Sequence, residues 1–113
     1  MTQSYLSKEL YTITSKNDEQ VEITLSNAEH PVFKAHFEGM PLLPGFLQID
    51  IIAEILKKEI DTITSAKFVQ KILPEEKLTY IITPTKSGVR VKLFNVSEEL
   101  CGDFKLKWSA KVD

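Results

Sequence analysis

The stretch that decides the fold is residues 33–56, FKAHFEGMPLLPGFLQIDIIAEIL, in which a loop runs into a strongly apolar segment. Pro41 and Pro44 fix their own φ and push the residue before each of them toward extended conformations. Gly39 and Gly45 allow backbone shapes that other residues resist. Such a loop costs little entropy to hold still, because much of its freedom is already absent in the unfolded chain. We therefore expect an ordered loop followed by a helix.

The segment from residue 45 to about residue 59 has the composition of a buried helix. Its apolar side chains cover most of the helix circumference, at about 100° per residue. They are Phe46, Leu47, Ile49, Ile51, Ile52, Ala53, Ile55 and Leu56. The polar remainder is Gln48 on one side and a narrow strip that contains Asp50. Asp50 has no cation three or four residues away, so a carboxylate on this buried helix needs a reason to be there.

Length and composition indicate one domain, residues 1–113, of ordinary globular composition, with 42% hydrophobic and 27% charged residues. The net charge of −2 at pH 7 argues against a general nucleic-acid binder, which is normally basic. The single cysteine, Cys101, excludes an internal disulfide and fits a reducing compartment. Neither a signal peptide nor an apolar run long enough to span a bilayer is found, so we expect a cytoplasmic protein.

The rest of the chain shows the alternation of β-strands. The predicted strands are residues 10–15, 20–26, 62–73, 77–83, 89–96 and 104–112. Gly88 is expected in a turn, and the last strand places Phe104, Leu106 and Trp108 on one face and lysines on the other. A single helix that is apolar nearly all round must be wrapped by the sheet. The sequence thus predicts an α+β hot-dog fold, a strongly curved antiparallel sheet of about six strands around one long central helix.

The motif that begins at His36 resembles a known signature. Residues 36–45, HFEGMPLLPG, are similar to the His-Phe-Pro-Gly-x-Pro-x-x-Pro-Gly signature of the hot-dog 3-hydroxyacyl-[acyl-carrier-protein] dehydratases. Asp50 stands where that family has a Glu or Asp, and residues 67–74, KFVQKILP, are similar to the segment after its helix. The chain departs from the family in Glu38, which replaces the usual Pro, and in lacking the N-terminal segment of the fatty-acid enzymes. Residues 48–50, Gln-Ile-Asp, are more similar to the short dehydratases of aryl-polyene-type pathways.

The chemistry of such an enzyme can be argued from the residue types. Dehydration of a 3-hydroxyacyl thioester requires a proton to leave C2 and another to reach the hydroxyl at C3. His36 suits the first step, because its free pKa near 6.5 leaves a neutral base available at about pH 7. Asp50 suits the second, because a carboxyl group in an apolar tunnel has a raised pKa and holds its proton. Gly45, at the helix start, can donate its N–H to the thioester oxygen as that oxygen gains negative charge.

Four residues near the motif are candidates for substrate binding: Phe37, Gly39, Phe46 and Ile49. We expect no cofactor, because no group of His or Cys has metal-ligand spacing and no glycine-rich phosphate loop occurs.

The resemblance implies two partners. One is an acyl carrier protein that bears the substrate as a phosphopantetheine thioester, for which Lys34, Lys67 and Lys71 are candidate docking residues because they flank the motif. The other is a second copy of the chain, because the resembling enzymes bring the His of one subunit to the acid of the other. An open sheet edge would allow such a homodimer, or a larger oligomer built from dimers.

Simpler roles remain open for the same residues. His36 could be a loop histidine bonded to a carbonyl, Asp50 a structural acid bonded to a strand, and Gly45 only a residue that permits the turn. We expect His30 to be exposed and without a role. Cys101 lacks a local basic partner, which argues against a nucleophile.

Glu54 is expected to pair with Lys58, four residues further along the helix. Two other functions also remain open for the whole chain. A hot-dog thioesterase would use the same tunnel with a carboxylate that activates water, and a non-catalytic acyl-thioester-binding partner would need neither His36 nor Asp50. Isomerisation of the enoyl product is accessible to the same residues.

Overall fold

The strands and the helix follow the predicted order. A computed structural model of the chain describes residues 10–31, 33 and 42–109. Within these residues, two strands precede a long helix and four strands follow it. The elements are β1 Tyr11–Lys16, β2 Gln20–Leu25, α1 Gly45–Leu56, β3 Ile60–Phe68, β4 Lys77–Pro84, β5 Gly88–Phe94 and β6 Leu100–Trp108.

The described strands form one antiparallel sheet in the order β1-β2-β4-β5-β6-β3. A six-stranded antiparallel sheet with a single long helix confirms the predicted α+β fold. The strand order leaves β1 at one edge and β3 at the other. Since edge strands carry unpaired backbone groups, these two edges are where a further strand could add.

The core lies between the helix and one face of the sheet. Alternation buries Leu78, Tyr80 and Ile82 on β4, as expected of a strand with one covered face. They share one apolar cluster with Ile51 and Ile52 of α1, which are 0% and 2% exposed. Burying an isoleucine of this kind stabilises the fold by roughly 1.5–3 kcal/mol. The helix is therefore fixed to the sheet by its inner face.

The helix ends at Leu56, earlier than the predicted end near residue 59. Lys57 adopts the left-handed conformation, with φ 55°, and its N–H bonds to the carbonyl of Glu54 at 3.3 Å. The N–H of Lys58 bonds to the carbonyl of Ala53 at 3.1 Å. These are the two bonds of a Schellman motif, which satisfies the last carbonyls and stops the helix.

The predicted strand 62–73 is shorter in the structure, because it ends at Phe68. Beyond Phe68, the N–H groups of Val69 and Gln70 both bond to the carbonyl of Cys101, so the regular ladder stops. The carbonyl of Ile72 then accepts the N–H of Leu43 at 2.8 Å. The segment after β3 thus ties down the loop that leads into α1.

Gly88 was expected in a turn but is the first, buried residue of β5. A Cβ built on Gly88 would lie 1.8 Å from the carbonyl oxygen of Leu106 on β6. Only glycine lets the two strands approach so closely at this point. The turn itself lies just before it, where the N–H of Thr85 bonds to the carbonyl of Gly88 at 3.0 Å.

Among the described residues, no helix combines the length and apolar character needed to cross a membrane.

Candidate active site

The N-terminal end of α1 has no acidic residue in its first turn. Pro44 is its N-cap, and no side chain of the described residues caps the helix. The first N–H groups of a helix have no acceptor within it, and the helix dipole makes this end positive. Gly45 is the first helical residue. Its N–H is therefore suited to stabilise an oxygen that gains negative charge.

Gly45 is also required by packing. A Cβ on Gly45 would lie 2.8 Å from the ring of Phe68, at the end of β3. The ring of Phe68 is 52% exposed and packs at 5.6 Å, centroid to centroid, from that of Phe104. The glycine thus lets Phe68 cover the helix start, so a conformational or packing role and a chemical role for Gly45 are compatible.

Asp50 lies on the outer face of α1 and is exposed in the single chain. This face of the helix points away from its own sheet, so the described residues do not form the apolar tunnel that was expected around Asp50. No hydrogen bond or ion pair involves Asp50 within the described part of the chain. Partial desolvation nevertheless raises the pKa of its carboxyl group. Such a carboxyl group holds its proton to higher pH than an ordinary aspartate.

The predicted substrate-binding residues lie in different environments. Phe46 is 58% exposed, one turn before Asp50 on the same outer face. Ile49 is 5% exposed and belongs to the apolar core, so its side chain contributes to packing within the chain. Phe37 and Gly39 lie outside the described residues.

His36 and Lys34 also lie outside the described residues, so the expected contact between His36 and Asp50 stays a prediction. Lys67 and Lys71 are exposed. Lys67 is opposite Asp103 in the β3–β6 ladder. A hydrogen bond from Arg90, first, and then the charges of Arg90 and nearby lysines, including Lys67, lower the pKa of the Asp103 carboxyl group.

Two of the simpler expectations were wrong. Glu54 was expected to pair with Lys58, but its carboxylate accepts a hydrogen bond from the hydroxyl of Tyr11 on β1. His30 is buried, with 7% of its surface exposed. The turn that begins at Asn27 folds it inward, since the N–H of His30 bonds to the carbonyl of Asn27 and its own carbonyl accepts the N–H of Phe33.

Cys101 is buried, and burial raises the pKa of its thiol, which makes a thiolate nucleophile unfavourable. Within the residues that the structure covers, no group of His, Cys, Asp or Glu is arranged to hold a metal ion.

Sequence reasoning assigned no role to one polar residue of the helix. Gln48 is 3% exposed and faces the sheet, and the oxygen of its side chain has no hydrogen-bond partner among the described residues. The one signal in the sequence was a polar residue between Leu47 and Ile49, on a helix face that is otherwise apolar.

A family model described as ApeI-like, ApeI dehydratase, matches residues 13–105. The chain belongs to the ApeI-like dehydratase family. This confirms the predicted relation to hot-dog dehydratases and supports a dehydratase role. No curated protein sequence matches the chain.

Solved structures share the fold of this ApeI-like chain. The dehydratase heterocomplex ApeI:P from Xenorhabdus doucetiae aligns with a TM-score of 0.68 at 20% identity, over 86% of this chain and 93% of the other. An uncharacterised protein from Erwinia carotovora subsp. atroseptica aligns with a TM-score of 0.61 at 25% identity, over 88% and 91%. A thioesterase from Haemophilus influenzae aligns with a TM-score of 0.61 at 12% identity, over 92% and 80%. The hot-dog fold is thus shared with dehydratases and thioesterases alike.

Proposed function

We propose that this chain removes water from a 3-hydroxyacyl thioester carried by an acyl carrier protein, giving the trans-2-enoyl thioester. The observation that carries the proposal is Asp50, an acid with a raised pKa and no partner among the described residues, on the helix that follows the dehydratase-like motif. A proton donor at neutral pH must keep its proton, and an ordinary aspartate does not. Membership of a dehydratase family supports the same reaction.

In the proposed reaction, His36 takes the proton from C2, and the electrons of that C–H bond form the C2–C3 double bond. The C3–O bond breaks as Asp50 donates its proton to the hydroxyl group, which leaves as water. During this step the thioester oxygen gains negative charge, and the N–H of Gly45 stabilises it. Solvent then returns a proton to Asp50 and removes one from His36, so the enzyme is unchanged overall.

One helix cannot easily present Gly45 and Asp50 to the same substrate. Five residues separate them, which places them about 140° apart around the helix axis. The N–H of Gly45 lies at the helix end beside Phe68, whereas Asp50 faces outward. We therefore propose that each site takes Asp50 from one chain and Gly45 and His36 from another.

The β3 edge supports a second copy of the chain as the neighbour. Seven of the nine residues of β3 are exposed. Ile63, Phe68 and Val69, on and just after this strand, are 51%, 52% and 52% exposed, whereas the opposite edge strand exposes Ile13 at 42%. Apolar side chains and unpaired backbone groups on one edge favour association there. The alternative is a second chain of a different protein, because the structural neighbour from Xenorhabdus doucetiae is a heterocomplex.

The proposed carrier would approach the same end of the molecule. Lys71 lines a hollow at the start of α1, together with Gly45 and Phe68. Carrier proteins are acidic, so exposed lysines near the site would guide docking. Reversing the charge at Lys67 and Lys71 should raise KM for carrier-bound substrate and leave KM for the pantetheine thioester unchanged. An equal effect on both substrates would contradict the docking role.

The deciding experiment is an assay with two products in view. The protein is incubated with 3-hydroxyoctanoyl-pantetheine and with the same acyl group on acyl carrier protein, and enoyl absorbance and free thiol are followed together. We expect enoyl thioester to form without release of thiol. Release of thiol with no enoyl product would instead identify a thioesterase, and binding without either product would identify an acyl-binding partner.

A further inference from the structure

One residue that lines the hollow at the start of α1 has a buried polar atom without a hydrogen-bond partner among the described residues. This hollow has a volume of about 400 Å³ and is lined in part by Gly45, Gln48, Phe68 and Gln70. Only 3% of the surface of Gln48 is exposed, and its Oε1 has no hydrogen-bond partner in the described part of the chain. A buried amide oxygen that lacks a hydrogen bond costs folding free energy. A ligand in the hollow would remove that cost.

The neighbours of Gln48 leave room for its side chain. A Cβ on Gly102 of β6 would lie 3.5 Å from Gln48 Oε1 and 2.6 Å from the ring of Phe104. The hydroxyl of Tyr80 contacts the backbone carbonyl of Gln48 at 3.5 Å and leaves the side-chain oxygen free. Because Gly102 has no side chain, the amide of Gln48 and the ring of Phe104 can both pack against it.

The position of Gln48 on the helix determines which part of a ligand it can meet. It follows Gly45 by three residues, so the two lie on the same side of α1, about one turn apart. A ligand whose carbonyl oxygen accepts the N–H of Gly45 would place its next groups near Gln48 Oε1. As an acceptor, that oxygen needs an O–H or N–H donor. In a 3-hydroxyacyl thioester, the C3 hydroxyl is the donor that stands two carbons from the thioester carbonyl.

We propose that Gln48 is a specificity residue whose side-chain oxygen accepts the hydrogen bond of the substrate's C3 hydroxyl group. The inference rests on the proposed function for the identity of the ligand. Gln48 holds the hydroxyl hydrogen, which leaves the lone pairs of the hydroxyl oxygen for the proton that Asp50 donates. Gln48 and Asp50 lie about 160° apart on one helix, so the two meet one hydroxyl only from two chains. A substrate without the hydroxyl leaves Gln48 unpaired and binds more weakly.

Binding, not turnover, tests this proposal. We would measure the dissociation constants of 3-hydroxyoctanoyl-pantetheine and octanoyl-pantetheine, which lacks the hydroxyl, by calorimetry on Asp50→Asn protein. With Gln48 present, the hydroxy compound should bind about tenfold more tightly, the worth of one hydrogen bond. Gln48→Met, made in the same Asp50→Asn protein, should abolish that preference. The dissociation constant of the octanoyl compound should stay within about twofold of its value with Gln48 present. Gln70→Met, which changes an exposed glutamine of the same hollow, should leave the preference intact.

Two further measurements keep the outcome clear. Gln48→Met should leave the melting temperature unchanged or raise it, because it removes a buried unpaired oxygen, whereas a structural hydrogen bond would lower it. Gln48→Leu serves if the Met variant does not fold. An equal loss of both thioesters, or no preference for the hydroxyl with Gln48 present, would overturn the proposal. Dissociation constants are measured without turnover. The result for Gln48 can therefore be interpreted even if the dehydratase assay shows no enoyl product.

Discussion

Both faces of α1 carry large apolar side chains, but the surroundings of these side chains differ greatly. On the inner face, Ile51 and Ile52 are 0% and 2% exposed, packed on the sheet of the same chain. On the outer face, Phe46 is 58% exposed, and Asp50 one turn later is exposed as well. The inner face thus completes the core of the chain, whereas the outer face leaves apolar surface exposed that a second chain would cover.

The outer face itself carries two carboxylates, one turn apart, with different partners. Glu54 accepts a hydrogen bond from Tyr11, and Lys16 of the same strand donates to the carbonyl of Ile55 at 3.2 Å. These contacts tie β1 to the C-terminal end of α1. Asp50 has no such tie within the described residues, and burial, though partial, raises its pKa. On this face, Glu54 therefore has a structural role, whereas Asp50 remains available as an acid.

The largest effect is expected at Asp50. Asp50→Asn keeps the shape but removes the proton donor, so kcat should fall by about 10²–10⁴-fold. Asp50→Glu should keep part of the activity, since an acid remains. Because a general acid must be protonated, wild-type activity should fall as pH rises through the raised pKa of Asp50, and residual activity of the Asn variant should lack that dependence. Wild-type rates in the Asn variant would make Asp50 structural.

The second prediction asks whether the outer face of one chain completes the site of another. His36→Ala and Asp50→Asn should each be inactive as homodimers. After unfolding and refolding an equal mixture, half of the dimers are mixed and each holds one intact site, so roughly a quarter of wild-type activity should return. Absence of recovery, with mixed dimers demonstrated by mass spectrometry, would place His36 and Asp50 in a site within one chain.

A matched pair of truncations compares the two faces directly. Ile52→Ala should lower the free energy of unfolding by about 2–5 kcal/mol, because it leaves a cavity in the core of the chain. Phe46→Ala should instead raise the dimer dissociation constant at least about fivefold, measured by sedimentation. Ile52→Ala should leave that constant nearly unchanged among folded molecules. A monomeric wild-type protein, or equal dissociation constants for Phe46→Ala and wild type, would show that no second chain packs on the outer face.

The smallest effect concerns the hydrogen bond between Tyr11 and Glu54. Tyr11→Phe removes the hydrogen bond to Glu54 and should lower the free energy of unfolding by about 1 kcal/mol, measured in urea. Burial, followed by the bond to Glu54, raises the pKa of Tyr11 in the folded protein. The phenol therefore stabilises the fold below about pH 10, and this contribution is lost as pH rises through the folded pKa.

The pH dependence provides the control for Tyr11. The buried Tyr80, whose pKa burial also raises, remains in the variant and still makes it lose stability in base. Between neutral and strongly basic pH, the free energy of unfolding should fall less in Tyr11→Phe than in the wild type. Identical pH profiles would show that the Tyr11 bond contributes nothing to the fold.

The order of elements and the apolar pattern could be predicted because they depend on neighbouring residues along the chain. The strand–strand–helix–four-strand order was confirmed, and Leu78, Tyr80 and Ile82 alternate inward on β4 as expected. The boundaries were less accurate, because a local Schellman motif ends α1 early and non-local bonds end β3 early. The early end of β3 depends on Cys101 of another strand, which captures the N–H groups of Val69 and Gln70.

The sequence by itself determined the family motif, the candidate acid at Asp50 and the helix start at Gly45, because each depends on residue type and spacing. Only the tertiary structure decided how much of the remaining apolar surface is covered, since the sheet packs on just one side of the helix and leaves Phe46 exposed. It likewise decided that Glu54 meets Tyr11 rather than Lys58 and that His30 is buried. The unpaired oxygen of Gln48 also belongs to the tertiary structure, because hydrogen-bond partners across the core come from strands distant in the chain.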